Sequence, residues 1–269
     1  MAEFTAKDVQ ALRVASGAGM MDAKRALTEA DGDPKAAMRW LRERGLGKAA
    51  ERAGRESEQG AVAVSYDQGA NAIALVQLRS ETDFGAKSPD FVNLVNELAA
   101  LVASENEEAV DQRKSAIEDL NITLKENVQL GQVVRFQPAP GNVVGSYLHV
   151  QNDRGVNGVI VELAGGTEEL VHDIAVHIAF GKPKFLRRED VPEDEVEAER
   201  ATLETSTRME GKPEAALPKI VDGKLNGWFK RVPGGVLLEQ PYAKDDSQSV
   251  EKVLGPARVV RFAQVVIGG

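Results

Sequence analysis

The sequence contains no cysteine, and this absence removes two classes of site at once. A chain without thiols forms no disulfide bonds and binds no metal through thiolate ligands. The start of the chain also lacks the basic and then apolar run of a signal peptide, and no apolar stretch is long enough to cross a bilayer. These absences predict a cytoplasmic protein that has no membrane partner.

Positive charge is scarce as well. Lysine and arginine number 33 against 42 aspartates and glutamates, which gives a formal net charge of -9. Binding to nucleic acid or to an anionic membrane requires basic side chains that displace counterions. One basic cluster, Lys48, Arg52 and Arg55, is offset by neighbouring glutamates and has no interleaved aromatic residue. We therefore expect a solvated linker at this cluster and no direct nucleic-acid partner.

Motifs for catalysis or for phosphate binding are missing. Gly47-Lys48 lacks both the earlier glycine and the following hydroxyl residue of a phosphate-binding loop. His172 and His177 lie five positions apart on a predicted helix, so their side chains point in different directions and cannot converge on a metal as an i, i+4 pair can. No nucleophile has an identifiable base. The sequence therefore predicts a protein that is not an enzyme and that holds neither a metal nor a cofactor.

The first 45 residues have the pattern of three short helices. Thr5 and Asp8 have the spacing of a capping box, Asp33 and Pro34 are a strong cap and first-turn proline, and Gly45 is the expected end of the third helix. Residues 1–45 are thus predicted to form a small docking domain, followed by a linker over residues 46–60. The expected core positions are Val9, Leu12, Ala23, Ala26, Leu27, Ala37, Trp40 and Leu41.

The pattern of residues 61–142 predicts the first half of an α+β core. Residues 61–66 and 71–78 alternate as two strands of a hairpin, and an apolar helix is expected from Ser88 to about Ser104. A more polar helix is expected from roughly Glu108 to Leu120. The fold class that follows is α+β, with an antiparallel sheet and packed helices.

A weak internal repeat predicts a second, related half over residues 143–188 plus 236–269. When the chain is shifted by 85 positions, Leu75 falls on Ile160, Thr82 on Thr167 and Gly60 on Gly145. Residues 259–266 alternate like a last strand. Between the two parts of this half, residues 189–235 have the pattern of an inserted helical hairpin, with a Gly-Pro break at residues 211–213.

The stretch Arg79–Gly85 joins a predicted strand to a predicted helix and has two interpretations. In one, Thr82 or Asp83 caps a turn while Phe84 folds into the core. In the other, Phe84 projects outward as an anchor for a partner's pocket. The second half of the repeat has two glutamates at the positions of Asp83 and Phe84, so this residue pair is dispensable for the fold. That comparison favours an outward, functional Phe84.

Five ordered motifs together resemble one family, the bacterial translation elongation factor Ts. They are Leu12-Arg13 with residues 17–27, Glu81–Phe84, His177–Ala179, Lys182-Pro183, and Leu238–Tyr242 with Asp245-Asp246. The resemblance covers essentially the whole chain. It implies a three-helix domain similar to the ubiquitin-associated fold, a two-part α+β core, and a helical hairpin that makes dimer contacts in some members.

The resemblance also implies a function. The family binds elongation factor Tu in its GDP-bound and nucleotide-free states and accelerates nucleotide release. By resemblance, residues Thr82, Asp83, Phe84 and Gly85 belong to the segment that displaces Mg²⁺ in the partner. A glycine at position 85 stands where valine is usual, which predicts a freer backbone.

Further partner contacts are implied for the rest of the chain. Arg13, Met20 and Met21 resemble the contact that the N-terminal domain makes with the GTPase, and His149 resembles a residue facing another GTPase domain. Two alternatives stay open at this point. The methionines can instead fill a small local core, and the chain can instead be a passive protein-binding adaptor without exchange activity. The oligomeric state also stays open, with a homodimer inside a 2:2 complex as one option.

Overall fold

A computed structural model describes residues 4–16, 18–52 and 54–268 of the chain. The N-terminal part forms three helices: α1 (Ala6–Ser16), α2 (Met20–Glu29) and α3 (Pro34–Arg52). Their apolar faces meet in one small cluster that contains every core position expected from the sequence, together with Phe4, Ala30 and Met38. The prediction of three packed helices is confirmed. Gly17, part of the first family motif, lies outside the described residues.

The expected end of the third helix at Gly45 is wrong, because α3 continues to Arg52. A Cβ atom at Gly45 would lie 2.9 Å from two side-chain carbons of Ile122, which belongs to helix α6 (Lys114–Leu124). Glycine at this position therefore allows two helices to approach closely and does not end one. Arg52 Nη2 also donates to Asn121 O at 2.9 Å, so the end of α3 is attached to α6.

The first core half contains a three-stranded antiparallel sheet with helices on one face. The hairpin of β1 (Gln59–Asp67) and β2 (Ala72–Ser80) is confirmed, and so is helix α5 (Pro89–Ser104). A one-turn helix, α4 (Asp83–Ala86), lies between β2 and α5, and a 3-10 helix (Glu107–Arg113) precedes α6. Strand β3 (Gln129–Phe136) pairs with β2 and was not predicted from the sequence.

The second half repeats this arrangement. Strands β4 (Asn142–Gln151) and β5 (Arg154–Ala164) form an antiparallel hairpin, β8 (Arg258–Val266) pairs with β5, and α7 (Glu168–Gly181) covers one face. The strand orders β1-β2-β3 and β4-β5-β8 match, so the two halves share one topology. The strand β6 (Pro241–Tyr242), the strand β7 (Asp245–Ser249) and the helix α10 (Val250–Leu254) lie before β8 in the chain.

One detail of the predicted repeat needs correction. Thr82 and Thr167 are equivalent, since each caps the helix that follows its strand. Gly60 is not equivalent to Gly145: Gly60 pairs with Arg79, and the matching pair in the second hairpin joins Ala164 to Asn142. The second hairpin is longer between these pairs: it adds the pairs Val150–Gly155 and Gln151–Arg154 and a bulge next to His149, and these outweigh its shorter turn at residues 152–153.

The two sheets pack face to face, and each carries its helices on the outer face. Alternation along β2 separates the two environments: Leu75 contacts the second sheet, while Val76 and Leu78 contact the helices of the first half. Gly155 lies so close to β1 that a Cβ there would be 2.1 Å from Val62 O. The core therefore has four layers, with α5 and α7 outermost. The residues between the sheets are Val62, Ile73, Leu75, Phe136, Ile160 and Val265.

The inserted hairpin is confirmed as two packed helices, α8 (Glu193–Met209) and α9 (Leu217–Phe229). Its base is held by Gln240, whose amide donates to Gly181 O at 2.9 Å and to Arg231 O at 3.1 Å. His177 Nδ1 accepts from Ala243 N at 3.1 Å, so Nε2 carries the proton and donates to Gln240 Oε1 at 2.9 Å. Both side chains are fully buried, which makes this histidine structural. Burial lowers the pKa of His177 and so favours its neutral form.

No helix in the described parts of the chain has the length and apolar character needed to cross a membrane. The division into five segments stays a prediction.

Candidate functional site

Residues Thr82–Ala86 form one helical turn that stands between β2 and α5, and we call it the Phe84 turn. Thr82 is its cap: the hydroxyl Oγ1 accepts from Gly85 N at 3.1 Å. Ser88 then caps α5, with Pro89 in the first turn of that helix. Thr82 and Ser88 each cap a helix of their own, so the Phe84 turn is separate from the long helix α5 that follows it.

Phe84 points into solvent, with 82% of its surface exposed. The interpretation that Phe84 folds into the core is therefore wrong, and its outward orientation is confirmed. Its role as an anchor for a partner stays a prediction. Its neighbours Gly85 and Ala86 are buried, so the turn is anchored by the residues beside the ring. Lys87 Nζ lies 5.7 Å from the ring centroid, within the range of a cation–π contact.

Asp83 lies beside the ring and stays ionised. Its carboxylate forms an ion pair with Lys87, one helical turn along. The hydrogen bond from Lys87 lowers the pKa of Asp83, and the positive charge of Arg154 lowers it further. The Phe84 turn therefore presents an apolar ring next to a fixed negative charge.

The Phe84 turn is also held by a residue that sequence analysis did not identify, Glu126. Its Oε2 accepts from Ser80 Oγ at 2.7 Å and from Thr82 N at 3.1 Å, and its Oε1 accepts from Thr82 Oγ1 at 2.5 Å. Glu126 is 44 positions from Thr82 in the chain, and the pairing of β3, which follows it, with β2 brings it near. No local pattern could have indicated this contact.

Gly85 lies in regular helix and not in the left-handed region, so no positive φ requires a glycine here. The freer backbone stays a prediction. A Cβ atom at Gly85 would lie 2.5 Å from Glu126 Oε2. Glycine therefore leaves room for the carboxylate that binds Thr82.

A second carboxylate, that of Glu81, attaches the same region to the chain before β1. Glu81 Oε1 accepts from Asn127 N at 2.7 Å, and Glu81 Oε2 lies 3.4 Å from Arg55 Nη1. Asn127 Nδ2 donates to Arg55 O at 2.6 Å, and Ser57 Oγ donates to Asn127 O at 2.7 Å. The segment between α3 and β1 is therefore connected to the base of the Phe84 turn.

The N-terminal candidates lie on the surface of the three-helix domain. Arg13 is exposed, and Met20 and Met21 are 47% and 74% exposed. The alternative that these methionines fill the local core is wrong. Val14 is 75% exposed on the same helix as Arg13 and was not identified from the sequence. Three exposed apolar side chains and one exposed cation thus lie at the end of α1 and the start of α2, and we call these four residues the patch.

His149 is exposed near the end of β4, and its Nδ1 lies 3.5 Å from Tyr147 Oη. The same end of the hairpin contacts the first half of the core. Arg154 is 93% buried by the surrounding chain, since only 7% of its surface is exposed, and its Nη1 donates to Gly60 O. Through Arg154 the hairpin end acts electrostatically on Asp83. The roles of His149 and of the other candidates stay predictions.

Within residues 4–16, 18–52 and 54–268, no cluster of three or more histidine, cysteine, aspartate or glutamate side chains could hold a metal ion. Two of the three histidines of the chain, His172 and His177, differ in environment: the first is exposed and the second buried. His172 Nδ1 lies 3.0 Å from Ser146 O, whereas His177 bonds to Gln240 and Ala243.

Comparison with known proteins gives full-length matches. The sequence model of the family described as Elongation factor TS matches residues 81–269. Elongation factor Ts of Streptomyces griseus is 43% identical over 283 residues, covering 100% of both chains. The elongation factor Ts of Clavibacter michiganensis is 44% identical over 282 residues, again covering 100% of both chains. That of Acidothermus cellulolyticus is 44% identical over 282 residues, covering 100% of this chain and 99% of the relative.

Proposed function

This chain belongs to the elongation factor Ts family, and from that premise we propose that it is a guanine nucleotide exchange factor for elongation factor Tu. It binds the GDP-bound GTPase, promotes GDP release, and holds the nucleotide-free form until GTP enters. The observation that carries this proposal is Phe84, an aromatic ring exposed on a turn whose backbone is held on both sides. Because exchange requires only protein contacts, the factor acts without a cofactor of its own.

The Phe84 turn supplies the displacing element. Mg²⁺ in a GTPase bridges phosphate oxygens and protein ligands, so shifting the elements that hold those ligands weakens nucleotide binding. A rigidly held aromatic ring can insert between such elements, and aromatic side chains dominate the energetics of protein contacts. Asp83 keeps its negative charge beside the ring, where it can pair with a basic or N–H group of the partner.

Two further surfaces keep the partner in place. The patch of Arg13, Met20 and Met21, extended by Val14, serves as the anchor on the three-helix domain. His149, on the second half of the core, contacts another domain of the GTPase. Coupling between the two ligands is reciprocal, so a factor that loosens GDP is itself released when nucleotide binds.

Nucleotide release is the experiment that tests this function. Elongation factor Tu is loaded with a fluorescent GDP analogue, and the release rate is measured with excess unlabelled GDP as this chain is added. The proposal predicts a rate that rises with the concentration of the chain until it saturates. A passive adaptor would bind the complex without changing the release rate, and that outcome would reject the proposal.

The inserted hairpin is the segment that would pair two copies in a 2:2 complex. Its helix α8 ends at Met209, which is 84% exposed. Sedimentation of the free protein, and of its complex with elongation factor Tu, measures this pairing directly.

A further inference from the structure

We propose that Glu126 is the positioning residue of the Phe84 turn: it fixes the turn so that the ring of Phe84 is presented outward at a defined angle. This inference rests on the proposed exchange function and extends it to a residue on a different segment of the chain. Glu126 acts through Thr82 and Gly85, and the ring of Phe84 makes the contact with the partner.

The hydrogen bonds of Glu126 enclose the backbone that carries Phe84. One carboxylate accepts three donors, from Ser80 Oγ, Thr82 N and Thr82 Oγ1. Thr82 Oγ1, oriented by its donation to Glu126, accepts in turn from Gly85 N. Hydrogen bonds to an ionised acceptor are stronger than neutral ones. Phe84 lies between the two residues that are fixed, so its backbone has little freedom to turn the ring away.

The space around Gly85 supports the same inference. Any side chain at position 85 would place its Cβ within 2.8 Å of three atoms of the Glu126 carboxylate group. The position is helical, so no requirement for a positive φ explains the glycine. Close approach of the carboxylate explains it.

The second half of the core provides an internal comparison. There Thr167 caps α7 by accepting from Leu170 N at 3.1 Å, and the helix continues unbroken from Glu168 to Gly181. In the first half the equivalent threonine also donates to Glu126, and the helix is divided into the Phe84 turn and α5. Since both halves share one topology, the Glu126 contact is an addition at the half that carries the exposed ring.

Glu126 is itself held in place by the residues that follow it. Asn127 N donates to Glu81, and Val128 N donates to Asn121 Oδ1 at 2.9 Å. Asn121 Nδ2 returns a bond to Val128 O at 2.9 Å. The carboxylate therefore projects from a segment fixed to α6 and can transmit that rigidity to the turn.

The test compares Glu126→Ala, Glu126→Gln and the control Glu108→Gln, which removes the same charge at an exposed position of the 3-10 helix. Stimulated GDP release from elongation factor Tu is measured for each full-length variant, alone and combined with Phe84→Ala. Because Glu126→Ala removes these hydrogen bonds, we expect it to lower the rate of stimulated GDP release about tenfold. Glutamine keeps one acceptor and should restore part of the rate, while Glu108→Gln should match the parent protein.

The combined variants separate positioning from other roles. If Glu126 acts through Phe84, adding Glu126→Ala to Phe84→Ala causes no further loss. An equal loss of stimulated GDP release in both backgrounds, or no loss from Glu126→Ala alone, would overturn the inference.

Amide hydrogen exchange of Thr82 and Gly85 in the free protein gives a readout independent of elongation factor Tu, and Glu126→Ala should accelerate the exchange of both amides at least about tenfold. If the parent protein does not stimulate release, the exchange function fails, and unchanged amide exchange in Glu126→Ala still rejects the positioning role separately.

Discussion

Phe84 and Gly85 are adjacent in the chain but meet opposite requirements. Phe84 is 82% exposed, whereas Gly85 is buried against the carboxylate of Glu126. The pattern of a strand, a threonine and an aromatic residue was enough to predict the turn. The environment of position 85 was not predictable, because it depends on a side chain from a distant segment.

Gly85→Ala tests the close approach at this turn. The added Cβ forces the Glu126 carboxylate away from Thr82 and disrupts up to three hydrogen bonds, so we expect unfolding free energy to fall by about 1–2 kcal/mol. Stimulated GDP release should fall as well. The measurement is urea unfolding of both proteins, together with Gly85→Ala in a Glu126→Ala background. In the Glu126→Ala background, Gly85→Ala should lower the unfolding free energy much less. An equal decrease in both backgrounds would contradict this explanation of the glycine.

Glu162 is a second buried carboxylate whose partners set its ionisation. It is 2% exposed and accepts from Asn142 Nδ2 at 2.7 Å, Ala139 N at 3.1 Å and Arg261 Nε at 2.8 Å. Burial raises the pKa of Glu162, but these hydrogen bonds outweigh it, so the pKa lies below its usual value of 4.5. The carboxylate ties strand β5 to the segment that joins the two core halves.

A depressed folded-state pKa has a definite consequence for stability. The stabilisation from ionised Glu162 is fully present above the unfolded pKa of about 4.5 and is lost as pH falls through the folded pKa. We expect Glu162→Gln to lower the unfolding free energy by about 2 kcal/mol at pH 7. When urea unfolding is measured from pH 7 to pH 3, the difference in unfolding free energy between Glu162→Gln and the parent protein should stay constant above about pH 5.5 and become smaller at lower pH. A difference that widens on acidification would refute this assignment.

At the scale of elements, periodicity predicted most of the helices and failed where a residue has a tertiary role. Helix α5 ends at the expected residue, Ser104, and helix α8 ends at Met209, just before the expected Gly-Pro break at residues 211–213, since apolar spacing and such breaks are local signals. Strand β3 was missed because Gln129, Gly131 and Gln132 obscure the alternation of apolar residues. Gly131 faces Gln77, and a Cβ there would lie 2.4 Å from Gln77 Oε1.

Gly45 illustrates why the end of α3 was misplaced. Glycine is a common signal for the end of a helix, yet here it lies where α3 crosses α6. The signal and the crossing cannot be told apart without the position of Ile122. A glycine in a helical pattern can therefore have a local reason, the end of the helix, or a tertiary reason, close contact with a neighbouring helix.

Gly45→Ala distinguishes the local explanation for this glycine from the tertiary one. A glycine that only weakens a helix would make alanine stabilising by about 0.5–1 kcal/mol. Because the new Cβ would lie 2.9 Å from Ile122, we instead expect a loss of about 1–2 kcal/mol and faster amide exchange in α6. The matched control is Gly223→Ala in α9, where the added Cβ meets nothing within 4 Å and should stabilise the protein. Stabilisation by Gly45→Ala in thermal and urea unfolding would show that the crossing tolerates a side chain.

At the scale of the whole molecule, two copies of one topology form a four-layer core that carries the proposed recognition surfaces. The close packing of Gly155 on Val62 and the contact of Arg154 with Gly60 fix the second hairpin against the first half. The resemblance of the halves was visible in the sequence, but their face-to-face packing was not, since it depends on which face of each strand carries the larger apolar residues. These contacts hold the exposed ring and His149 on one framework, and the contacts of α3 with α6 attach the three-helix domain to it.

The central claim is that the exposed ring of Phe84 drives GDP release. The most direct measurement compares the parent chain, Phe84→Ala and Phe180→Ala for stimulation of GDP release from elongation factor Tu. Phe180 is the matched control, being 64% exposed on α7, which belongs to the other half of the core. Neither ring is buried, so both variants should fold with the stability of the parent. The account predicts that Phe84→Ala loses stimulation by at least about tenfold while Phe180→Ala retains it; equal stimulation by all three proteins would contradict it.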